Sequence, residues 1–146
     1  MTAFIPFISD AEVEAIGLGV IDRTLPKPRW THAAHFAAAV WMIRRRPDLA
    51  PERDLPGIIR AYNEATGVQN TDTGGYHETI TLASLRAAKA FLAARACLPL
   101  YAIANALMES DFGDKNWLLV YWTAPVLFSA DARRRWVEPD IQPLPF

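Results

Sequence analysis

Apolar residues recur along this chain at intervals of three and four, and prolines and glycines cut the recurrences into discrete helical segments. Ser9-Asp10-Ala11-Glu12 sets a capping side chain and carboxylates ahead of Val13, Ile16 and Leu18, which predicts a first helix running to about Thr24, with Pro26 and Pro28 stopping it. Thr31 caps the next segment, and the alanine-rich run 32–46 has high helix propensity until Pro47. Pro47, Pro51 and Pro56 punctuate a linker, after which Ile58, Ile59, Tyr62 and Ala65 mark a third, shorter helix ending at Gly67.

The polar stretch 69–75 has loop composition, and Gly74-Gly75 permits a sharp turn or a hinge. From Tyr76 onward, Ile80, Ala83, Ala87, Phe91 and Ala94 form the stripe of a long helix, read as the central one, which Pro99 kinks or divides before 101–108 continues. The branched and aromatic residues of 116–122 suit a strand, but no partner strand is visible and the segment reads as a buried helix. Ser129 caps a last short helix through Trp136, and Pro139, Pro143 and Pro145 keep the tail from about 137 extended along the surface. No repeat appears. The expected fold is therefore all-α, a single domain over 1–146 built as a bundle of five or six antiparallel helices.

Composition agrees with that reading. Hydrophobic residues make up 51% of the 146 and charged ones 21%, enough for a core without disulfides or a structural metal. Fifteen basic and sixteen acidic residues leave a net charge of −1, which argues against nucleic acid or anionic lipid as partners. The triplets 44–46 and 133–135 read as solvated helix ends. Cys97, the single cysteine, lies in the apolar run Ala96-Cys97-Leu98 and is expected to be buried as a small hydrophobe. Residues 1–7 lack the basic and apolar regions of a secretory signal, so cytoplasmic residence is expected. Arg86, Lys89 and Arg95 interrupt 77–108 and argue against a membrane span. Homo-oligomerisation through 117–122 stays open.

The chemistry concentrates in two motifs that hold all three histidines, Trp30-Thr31-His32-Ala33-Ala34-His35 and Tyr76-His77-Glu78-Thr79. His32 and His35, three apart on a helix, share a face, and Phe36, Ala39, Val40 and Met42 turn that face inward. His77 opens a long helix from the opposite wall, and three imidazoles leave an open coordination position for water or substrate. The expected site is thus one divalent transition metal (Zn, Fe, Ni or Mn) on His32, His35 and His77. Glu78 beside it is a ligand, a general base or an orienting group, and His77-Glu78 form the catalytic pair. Residues one apart on a helix diverge by about 100°, so His77 and Glu78 converge only if the helix starts between them. Trp30, Tyr62, Tyr76 and Thr81 are the expected substrate contacts, with Thr79 and Ser84 adding hydroxyls.

These motifs, with Val137-Glu138-Pro139-Asp140, resemble a group of small bacterial proteins, a likeness that implies a helical fold and a bacterial origin and says nothing of substrate. More distantly, three histidines in a helical bundle look like the DinB/YfiT metalloproteins, although the H-x-x-H spacing departs from theirs. Three readings follow. The first is a metal-dependent protein acting on a small molecule, as a hydrolase, a lyase or a non-haem oxygenase. The others are a metal-free ligand-binding or interaction module with buried, hydrogen-bonded histidines, and a metal-free His/Glu acid–base enzyme.

Overall fold

A computed structural model of the chain describes residues 4–146. Residues 1–3, part of the segment read above as carrying no secretory signal, lie outside the described residues. Seven α-helices follow one another among the described residues: α1 (Asp10–Ile21), α2 (His32–Arg45), α3 (Pro51–Ala65), α4 (Glu78–Ala94), α5 (Leu100–Glu109), and the short α6 (Ala124–Leu127) and α7 (Ala130–Arg134). Short 3₁₀ turns occupy Lys27–Arg29, Asp111–Gly113 and Trp117–Val120. There is no strand among the described residues, and one core spans Phe7 to Leu127, so the protein is a single all-α domain.

Side-chain caps set most of the helix starts. Ser9, Thr31 and Ser129 accept from the backbone N–H groups of Glu12, Ala34 and Ala132, as their sequence positions predict. The first helix ends earlier than expected, at Ile21, because Arg23 turns to φ 61° and the Thr24 and Leu25 N–H groups fold back onto the Gly19 carbonyl. The third helix begins earlier, at Pro51, where proline lacks only an N–H that has no intrahelical partner. Pro56, expected in the linker, lies within that helix.

The centre of the molecule is α2 rather than the segment from Tyr76. Phe36 through Met42 are all buried, so α2 is apolar around its whole circumference and packs against α1, α3, α4 and α5. Such packing needs small partners. A Cβ added at Gly17 of α1 would sit 2.2 Å from Cε3 of Trp41, which is 2% exposed. The long segment is divided: α4 stops at Ala94, and Pro99 precedes α5. Between them Cys97 is exposed, not buried, because the chain there is turning over the surface between two helices.

The segment 116–122 is a 3₁₀ turn over Trp117–Val120, not an α-helix, yet Trp117, Leu118 and Trp122 are buried as the apolar pattern implied. The tail seals this corner. Trp122 Nε1 donates to the Val137 carbonyl at 2.9 Å, Thr123 Oγ1 to Asp140 at 2.7 Å and the Ile141 N–H to Tyr121 at 2.9 Å, and the Phe146 ring meets Phe112 and Trp117. No helix among the described residues is long and apolar enough to cross a membrane.

Candidate functional site

A cavity of about 300 Å³ lies between α2, α3, α4 and the turn at Trp117. Its walls are aromatic (Trp30, Phe36, Trp117) and aliphatic (Leu55, Ile59, Ile80, Leu85, Leu118), and Ala38 and Ala39 of α2 leave the space open. The polar groups on it are few: His32, His35, Thr81, Ser84 and, exposed to solvent, Lys115. A wider groove of about 430 Å³ between α1 and α3 is shallow. Arg46 beside it pairs with Asp48 and Asp54 with Arg53, and the groove carries no histidine, so the histidine-lined cavity is the candidate site.

His35 stands in the first turn of α2. Its Nδ1 lies 2.6 Å from the Thr31 carbonyl, and since a carbonyl only accepts, Nδ1 carries the hydrogen and Nε2 is left with a lone pair. The ring stacks on Trp30 at 3.7 Å between centroids. His35 is exposed by accessible surface, but the atoms packed around its ring disfavour the charged form and push its pKa from 6.5 down to about 4. The Thr31 carbonyl opposes the shift, and the charges of His32 and Lys27 add to it. His35 is therefore a neutral acceptor near pH 7. His32 Nε2 donates to the Phe112 carbonyl at 2.7 Å, tying α2 to the turn at Asp111–Gly113, and its ring meets Phe36 edge-on at 5.4 Å.

His77 lies apart from this pair and does not line the cavity. It is the N-cap of α4. Its Nδ1 accepts the Ile80 N–H at 3.2 Å and its Nε2 donates to the Leu127 carbonyl at 2.7 Å, so both ring nitrogens are engaged in fixing α4 against α6. Burial lowers its pKa, the Leu127 carbonyl opposes this and the charge of Arg133 adds to it. Arg133 also donates to the Gly75 and Tyr76 carbonyls, and Arg134 pairs with Asp72, so α7 secures the loop ahead of His77. At Gly75, φ of 80° and the Gln69 carbonyl 2.5 Å from a notional Cβ explain why glycine stands there.

The other expected site residues divide in the same way. Trp30 and Thr81 line the cavity, whereas Tyr62 stands behind Trp30, 5.6 Å away edge-on, with its hydroxyl on the Leu25 carbonyl. Tyr76 and Glu78 do not line it. The Tyr76 hydroxyl donates to Glu78 at 2.6 Å beneath the Arg60 guanidinium, and burial, with the Glu78 carboxylate beside it, pushes the Tyr76 pKa up. The buried Thr79 hydroxyl clamps α4 to the carbonyls of Ala132 and Arg135. The structure thus brings together His32, His35, Trp30, Thr81 and Ser84, and holds Glu78 at the start of α4, with His77 and Tyr76 just before it, outside the cavity. Ser84, like Thr81, follows His77 at helical spacing; Lys115 carried no sequence signal, because only tertiary packing brings its turn to the cavity. Among the described residues no group of three or more His, Cys, Asp or Glu side chains is arranged to hold a metal ion. The chain matches no protein family, no curated protein and no solved structure.

Proposed function

We propose that this protein binds a small, predominantly apolar molecule in the cavity between α2, α3 and α4, using its own side chains and no metal. The observation that carries this reading is a cavity with aromatic walls and an imidazole, His35, whose Nε2 has no hydrogen-bond partner among the described residues. Small-molecule sites have this form, mostly apolar with a few placed polar groups, and a volume of about 300 Å³ suits a ligand of one ring or a short chain. If the protein is an enzyme, His35 is the base, since Glu78 is bonded to Tyr76 away from the cavity.

The test is a thermal-shift and tryptophan-fluorescence screen of one-ring apolar fragments against the whole chain. A fragment at 100 times its Kd stabilises the fold by about 2.7 kcal/mol. Ser84→Phe, which fills the space from α4, abolishes the shift and leaves the fold intact; saturable binding that survives this change rules the cavity out.

A metal-dependent reading is favoured by one observation, that His32 and His35 meet the same cavity three residues apart on one helix. A divalent transition ion there would be held through His32 Nδ1 and His35 Nε2, with His77 outside the set. Near-stoichiometric Zn, Fe, Ni or Mn in tag-free protein, lost in His35→Ala and kept in His77→Asn, would establish this reading over the first.

A further inference from the structure

Three polar groups on the cavity wall donate their hydrogens to backbone carbonyls. His35 Nδ1–H is engaged by the Thr31 carbonyl, His32 Nε2–H by the Phe112 carbonyl and the Thr81 hydroxyl hydrogen by the His77 carbonyl, at 2.6, 2.7 and 2.8 Å. Each of the three is left as an acceptor. Trp117 Nε1–H is unpartnered but has no accessible surface, so it is closed to a ligand. Ser84 offers both roles, and the Lys115 ammonium is exposed to water.

This pattern selects the ligand's chemistry. A carboxylate or ketone, which only accepts, would find no donor on His35, His32 or Thr81 and would depend on Ser84 and on the water-exposed Lys115. An organic cation would meet no counter-charge, because no Asp or Glu lines the cavity. The chemistry that matches the three acceptors and the aromatic walls is a neutral donor with an apolar body. Building on the cavity-binding reading above, we propose that the occupant is a small neutral aromatic hydrogen-bond donor, a phenol or an N–H heteroarene. Its ring contacts Trp30, Phe36 and Trp117, and its O–H or N–H is donated to His35 Nε2.

Isothermal titration of the whole protein at pH 7.5 with 4-methylphenol, 4-methylanisole, 4-methylbenzoate and toluene tests this. The phenol binds about tenfold more tightly than its methyl ether, the hydrogen bond being the difference, and the benzoate binds more weakly than either. In His35→Phe, which keeps the stack on Trp30 but removes the acceptor, phenol and ether bind within about twofold of each other. In His35→Gln, which restores an acceptor, the preference returns in part; circular dichroism checks that both variants fold. Equal binding of phenol, ether and toluene to the wild type, or a phenol preference undiminished in His35→Phe, overturns the donor assignment and leaves the cavity reading standing. Absence of binding by all four overturns both.

Discussion

His77 shows how one residue type serves two purposes here. Asn, Asp, Ser and Thr are the common N-caps, and an imidazole does the same work only while Nδ1 keeps its lone pair for the Ile80 N–H. Protonation turns that acceptor into a donor and ends the cap. Because the folded state holds the His77 pKa below its ordinary value of 6.5, the unfolded chain binds the proton more readily. The contribution is therefore complete above about pH 6.5 and is lost as pH falls from there through the folded pKa. His77→Asn, a cap that does not titrate, should show a smaller drop in Tm between pH 7 and pH 5 than the wild type in thermal melts; an identical drop would remove His77 from the acid response. His77→Ala, which loses the cap and leaves the Leu127 carbonyl unpartnered, should cost about 1–3 kcal/mol at pH 7.5.

Among the elements, α1 and α2 are fitted to one another through glycine, and two glycines separate packing from helix propensity. Gly17→Ala drives a methyl into the buried Trp41 ring and should cost about 1–3 kcal/mol, a fall of several degrees in Tm. Gly57→Ala in α3, where a Cβ meets nothing within 4 Å, should be neutral or stabilising by up to about 1 kcal/mol, as helix propensity dictates. Equal effects of the two changes would show that the α1–α2 contact does not depend on close approach. Similar logic explains the misjudged ends: periodicity located α3 from Ile58, but the Asp54 carboxylate, bonded to the Ala50 N–H, secures a first turn beginning at Pro51.

For the whole molecule, the consequence of the fold is the closure of one side of the cavity by the segment after α5. Trp117 and Leu118 line the cavity, and the tail packs against their turn, with Phe146 against Phe112 and Trp117. Phe146→Ala should cost about 1 kcal/mol and shift tryptophan emission to the red, and it should weaken fragment binding even though Phe146 does not line the cavity. Unchanged affinity in that variant would show that the wall stands without the tail.

Local chemistry made much of this protein legible in advance. Caps at Ser9, Thr31 and Ser129, breaks at Pro26, Pro47 and Pro99, and the 3.6-residue recurrence of apolar positions act within a few residues, so the all-α class and most helix boundaries could be read directly. The pairing of His32 with His35 was legible too, because three residues on a helix fix their relation. What the sequence could not carry was where two distant segments meet. The position of His77 depended on which carbonyl its ring would find, and the partner was Leu127, fifty residues on. The same holds for Lys115, for the exposure of Cys97 and for the centrality of α2. Sequence determined the elements, since their energetics are local; tertiary structure decided which imidazoles face a cavity and which hold helices together, since that depends on packing between segments remote along the chain.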